Sequence, residues 1–205
     1  MNPLGGSIPQ PEDPRLLAAA HGAAAISWRV VPYYAARYGE RGWQFTLADS
    51  GWMTTLPSFG SAQALRQIKW VTRVLSNRGM PGWLTEQHLR ILVHQLNRHA
   101  PEDAALWQIL DDAREVLASE RAQAIPHDAF EARAREFAAQ VGMPDVPLAV
   151  GSGRILLAAS ADQRGGVKGA VRSTLPWFTD EARFPPTWRR AARALVRSSA
   201  VLHLA

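Results

Sequence analysis

Six histidines, 23 cationic side chains and eight tryptophans are the groups in this chain that could do chemistry. The histidines are His21, His88, His94, His99, His127 and His203. A metal site needs several of them on one side of an element. His88 and His99 share a helical stripe but stand 11 residues apart, roughly 16 Å along a helix axis, too far for one ion. His88 and His94 face opposite ways. Neither HExxH nor the ExxH of helical di-iron bundles occurs. Each histidine therefore reads as a surface residue or a satisfied core residue. Gly151-Ser152-Gly153-Arg154, after Leu148-Ala149-Val150, could be a strand, a glycine turn and a helix start. A dinucleotide fingerprint would need glycine where Leu156 stands. Arg164-Gly165-Gly166-Val167-Lys168-Gly169 lacks the order of a phosphate loop. Both stretches read as helix caps and turns. There is no GxSxG, and Ser152 and Ser160 have no nearby histidine. Asp111, Asp112 and Glu115 fall on the expected solvent face of their helix. No constellation of acid, base and nucleophile can be assembled, so an enzyme is the least favoured reading.

Arginine carries more information. Residues 1–150 hold 14 basic and 15 acidic side chains, a net of −1, whereas residues 151–205 hold nine basic and three acidic, a net of +6. In "TWRRAARALVRSS", Arg190, Arg193 and Arg197 recur at i, i+3 and i+7, while Trp188, Ala192, Leu195 and Leu202 fall on another face. This is a basic amphipathic helix. Trp188, Arg189, Arg190, Arg193 and Arg197 are the candidate residues for binding a protein partner or nucleic acid. Such a helix can lay arginines along phosphates while its apolar side packs on the body. It can equally dock on an acidic protein or a membrane surface. The plain alternative is a peripheral packed helix whose arginines are merely solvated.

The elements that must position these residues are helical. A chain of 205 residues, 47% hydrophobic and 20% charged, is long enough to bury a core and is not disordered. The absence of cysteine excludes disulfides, zinc–thiolate sites, iron–sulfur clusters and cysteine nucleophiles. The N-terminus lacks a basic region followed by an apolar core, so no signal peptide is expected. The apolar run from Leu16 to Trp28 is too short for a bilayer span. A cytoplasmic protein is the default expectation.

Residues 1–11, rich in Gly and Pro, read as a flexible N-terminus. A helical bundle is expected over 12–142 and a basic helical extension packed on it over 143–205. The first helix should run from Glu12 to Tyr38, kinked or split at Pro32 and capped by Gly39. Thr46-Leu47-Ala48-Asp49 resembles a capping box opening a short helix that ends before Pro57. Further helices are expected over 62–78, 85–98, from Pro101, from about Asp128, and over 153–161, 167–178 and 187–204. β-branched runs of period two are missing. The fold class is all-α, a multi-helix bundle with a basic C-terminal extension.

Between the third and fourth of these elements lies Arg78-Gly79-Met80-Pro81-Gly82-Trp83. Gly79 can end one helix in the left-handed conformation, Pro81 prevents its continuation, and Thr85 can cap the next helix. The loop explains itself as a corner. The density of tryptophan around it does not: Trp43, Trp52, Trp70 and Trp83 fall within about 40 residues. A Trp-lined core, a protein interface and a planar ligand remain open. The stretch "RYGERGWQFTLADSGWMTTLPSFGSAQALRQIKWVTRVLSNRGMP" resembles the helical bundle that precedes the cobalamin domain in B12-dependent photoreceptor regulators. The likeness covers about residues 37–96. It rests on the aromatic-Gly-Glu-Arg-Gly turn, the Trp-centred helix and the Arg-Gly-hydrophobic-Pro corner. In that family an aromatic residue and a Glu-His pair cap the cofactor. The resemblance puts Trp70 in the aromatic place, but Glu86 and His88 are separated by Gln87, and the DxHxxG cobalamin loop is absent. It thus implies a sensory-type bundle without autonomous B12 binding.

Three functional expectations follow. The first is a non-enzymatic regulatory or accessory protein that binds a protein partner. The second is a ligand-sensing bundle holding an apolar or tetrapyrrole-like molecule near Trp70, Trp83 and His88. The third is nucleic-acid binding through the C-terminal helix.

Overall fold

Helix α1 (Pro14–Val30) begins where the sequence supplies both a cap and a rigid first residue. The Asp13 carboxylate accepts the Arg15 amide at 2.8 Å, and Pro14 occupies the first turn, where its missing N–H costs nothing. Ala19, Ala20, Ala23, Ala24 and Ser27 form its buried stripe. The computed structural model describes residues 9–201. Leu202, His203 and Leu204, and most of the segment 1–11, lie outside the described residues. Gln10 donates to the Ala48 carbonyl at 3.0 Å, and Pro11 is buried.

The helix expected over 12–38 is split at Pro32 into two. Val31 leaves helical geometry, and α2 (Tyr33–Thr55) starts directly after Pro32. Gly39, at φ 54° and ψ −156°, interrupts α2 without ending it. The helix resumes at once, so the short helix expected from Leu47 is only the second half of α2. Thr46 is accordingly no N-cap; its hydroxyl donates to the Gly42 carbonyl at 3.0 Å, one turn back.

A 3-10 turn over Leu56–Phe59 leads into α3 (Ser61–Ser76), and α4 covers Gly82–His99. The corner between them forms as its residues dictate. Gly79 sits at φ 87° and donates to the Ser76 carbonyl at 3.1 Å, while Met80 donates to the Leu75 carbonyl at 3.0 Å. That pair of bonds is a Schellman C-cap. Helix α4 starts three residues before Thr85. A 3-10 turn at Pro101–Asp103 is followed by α5 (Ala104–Ala124) and α6 (His127–Gln140).

Helix α7 (Pro147–Arg164) departs furthest from expectation. It absorbs residues 148–153, which the sequence alone reads as caps and turns. Pro147 starts it, and Gly153 serves close packing. A Cβ at Gly153 would lie 3.0 Å from the Ala134 Cα and carbonyl oxygen on α6. Helices α8 (Ala170–Phe178) and α9 (Pro186–Val201) complete an all-α fold, with no strand among the described residues. No described helix is long and apolar enough to cross a membrane.

The chain divides into two compact units: residues 1–70 with 86–116, and residues 71–85 with 117–205. In the first, α1 packs on α2, and Leu89, Leu92 and Leu96 of α4 are fully buried. In the second, α6, α7 and α9 pack against one another and α8 joins α7 and α9. Phe130, Phe137, Leu156 and Phe178 fill its core. The basic helix α9 is thus a core element on one side.

Candidate functional site

In the first unit, the apolar stripe of α1 is broken by one polar residue, Ser27, and this break meets His88 of α4. The Ser27 hydroxyl lies 2.9 Å from His88 Nδ1, and the Ser50 hydroxyl of α2 lies 3.0 Å from Nε2. The proton positions follow from Ser50. It donates its single proton to the Thr46 carbonyl at 2.6 Å, so it can only accept from Nε2–H. Nδ1 is then the bare nitrogen and accepts from Ser27. Burial pushes the imidazole down to about 4, so it is neutral at neutral pH.

A hydroxyl beside an imidazole is the arrangement that activates a nucleophile. Here Ser27 is 2%, Ser50 0% and His88 7% exposed, so no substrate-sized group reaches them. The trio is a polar clip joining α1, α2 and α4. Beside it, Trp28 Nε1 donates to Thr46 Oγ1 at 3.0 Å, and the Trp28 ring meets Trp43 edge-on at 5.4 Å. Part of the tryptophan density thereby serves half-buried contacts between α1 and α2.

The three expected ligand residues have three different surroundings. Trp70 is 42% exposed on α3. Trp83 is half-buried, with Phe130 at 6.5 Å between ring centroids and the Arg154 guanidinium 5.8 Å from its own. Arg154 is in turn paired with Glu131 at 2.6 Å. His88 has both ring nitrogens engaged by serines. Among the described residues, no three His, Asp or Glu side chains gather as a metal ion requires.

The corner in the second unit has a partner that the sequence reading missed. The Asp162 carboxylate of α7 accepts the Gly82 amide at 2.8 Å and the Ser76 hydroxyl at 2.5 Å. It caps the first turn of α4 from another helix. Ser173 adds a bond to the Ser76 carbonyl at 2.9 Å. The only local signal was an acidic residue directly after the apolar run Ile155–Ala161.

The C-terminal helix has the two faces its spacing implied. Trp188, Ala192 and Leu195 are buried. Trp188 stacks on Phe184 at 4.9 Å and meets Phe137 edge-on at 5.1 Å, while its Nε1 finds no acceptor among the described residues. Arg189, on the flank, pairs with Glu181 at 3.3 Å. Arg190, Arg193 and Arg197 are exposed and have no acidic partner among the described residues. Gln140, Thr187, Arg190, Ala191 and Ala194 line a shallow depression of about 290 Å³ beside them. No family model, no curated protein and no solved structure matches the chain.

Proposed function

We propose that this chain is a non-enzymatic accessory or regulatory protein that docks an acidic protein partner on the outer face of α9. One observation carries the reading: Arg190, Arg193 and Arg197 stand in a row in solvent without counter-charges among the described residues, on a helix whose other side is anchored. Holding charges on a rigid, buried scaffold lowers the entropy lost when a partner arrives. Their complementarity to an acidic surface sets specificity and association rate. The small Ala191 and Ala194 beside Arg190 leave room for the partner's backbone to approach.

The test compares wild type with the triple variant Arg190→Glu, Arg193→Glu, Arg197→Glu as bait in nuclease-treated extract of the source organism. The reading expects one protein retained by wild type and lost by the variant, with affinity falling as salt rises. Equal retention by both baits rejects the α9 face. Retention that vanishes on nuclease treatment replaces the protein partner with nucleic acid.

A further inference from the structure

The charge of the second unit is not all on α9. Lys168 lies in the connection between α7 and α8, and Arg172 in the first turn of α8. Two contacts set this stretch against the C-terminal end of α3. The Ser173 hydroxyl donates to the Ser76 carbonyl at 2.9 Å. A Cβ at Gly169 would collide with Asn77 Oδ1, so the backbone there lies directly on that side chain. Asn77 also donates through Nδ2 to the Arg73 carbonyl at 2.9 Å, one turn back on the same face of α3. Asn77 is therefore the common neighbour of three cations. Arg73 stands one turn behind it, Lys168 directly precedes the glycine that it touches, and Arg172 follows that glycine by three residues. All three are exposed and have no acidic partner among the described residues. Residues 71–85 and 163–179 contain no Asp or Glu. The carboxylate of Asp162, just before the loop, is engaged by the Ser76 hydroxyl and the Gly82 amide. Among the described residues of the second unit, the exposed large hydrophobic side chains are Met143, Val146 and Leu148. They lie at the start of α7 and the cations beyond its end, with 18 residues of helix, about 27 Å, between. The surface around Asn77 thus offers charge and the bare backbone of Gly165, Gly166 and Gly169, without an apolar anchor.

We propose that Arg73, Lys168 and Arg172 form a contact surface for the phosphate backbone of double-stranded nucleic acid, bound without regard to sequence. Cations that neutralise phosphates release condensed counterions, and that release supplies the affinity. The glycines of the loop carry no side chain to hold a strand away from it. A duplex turns its phosphates outward and its bases inward, so a surface of charge alone can hold it. A protein partner or a membrane surface would draw on an apolar anchor as well. The surface shares no residue with the outer face of α9.

The test is fluorescence anisotropy of a fluorescein-labelled, mixed-sequence DNA duplex titrated with the full chain across a series of salt concentrations. For wild type, the logarithm of affinity should fall linearly with the logarithm of salt. The variant Arg73→Gln, Lys168→Gln, Arg172→Gln should bind about tenfold more weakly or worse at low salt, with a slope shallower by about 2.7, about 0.9 for each lost phosphate contact. The variant Arg190→Gln, Arg193→Gln, Arg197→Gln removes the same charge from α9 and should keep the wild-type slope. Should the first variant fail to fold, by loss of helical circular dichroism, Lys168→Gln alone takes its place and should lower the slope by about 0.9. No binding by wild type, an unchanged slope in the folded patch variant, or equal losses in both triple variants overturns the proposal. Displacement of the duplex by poly-glutamate at equal charge concentration also overturns it and assigns the surface to acidic proteins.

Discussion

At the scale of single residues, the His88 clip turns a buried hydrogen-bond network into a pH dependence. The folded-state value, about 4, lies below the unfolded value of 6.5. Above 6.5 both states are neutral at this site, and its contribution is complete. As pH falls below 6.5 the unfolded chain takes up a proton that the folded chain refuses, so stability is lost down to about 4. The loss by that point is about 3 kcal/mol. Urea unfolding curves stepped through this window should show it, and His88→Leu should flatten that share of the slope. A wild-type curve that is level between these limits contradicts the buried neutral imidazole. Asp162 makes a second residue-scale prediction. Asp162→Ala removes the acceptor for Ser76 and for the Gly82 amide and should cost about 1.5–3 kcal/mol. Asp162→Asn keeps one acceptor and should cost less, measured by denaturant midpoint at equal m-value.

At the scale of elements, the glycines of α7 separate two jobs that look identical in sequence. Gly153 is small because α6 is there; Gly151 has open space where a Cβ would go. Gly153→Ala should therefore destabilise by about 1–3 kcal/mol despite alanine's better helix propensity, because the backbone of Ala134 must move. Gly151→Ala should stabilise by about 0.5–1 kcal/mol. Thermal melts of the two single variants, shifting in opposite directions, would establish the packing. This pair also shows what the sequence could reveal. The 3–4 spacing of Ile68 and Val71, or of Trp188, Ala192 and Leu195, is local, so α3 and both faces of α9 were legible. A glycine chosen for lack of volume is legible only when its neighbour helix is known, and so only residues 153–161 of α7 were read as helix and its first turns were read as a turn. The partners of His88 lie 61 and 38 residues away, and no spacing rule connects them. Asp162 was hidden in the same way. The helix stop at Gly79, whose bonds span only five residues, was readable, whereas the start of α4 was not.

At the scale of the whole molecule, charge is segregated: the last 55 residues carry a net of +6 and the preceding 150 a net of −1. Three of those cations, Arg190, Arg193 and Arg197 of α9, are exposed and unpaired with acidic residues among the described residues. Partner capture should therefore weaken steeply between about 50 and about 500 mM salt, as the Debye length shrinks. A capture that is flat across this range assigns binding to apolar contact instead. The same segregation implies an α9 face that tolerates charge reversal without loss of fold, since Arg190, Arg193 and Arg197 have no acidic partner among the described residues. Near-identical melting curves for wild type and the triple variant are the expected result.

The Asp162 carboxylate lies 80 residues downstream of the Gly82 amide that it caps. A ribosome adding about 5–20 residues per second reaches Asp162 about 4–16 s after Gly82. Throughout that interval α4 exists without the group that holds its first turn, and the segment 71–85 has no α7 to fold against. The order of synthesis thus gives this protein a timed vulnerability. For those seconds Arg78 and the bonds around it are open to any chaperone or protease that inspects nascent chains, and translation speed sets how long the inspection lasts.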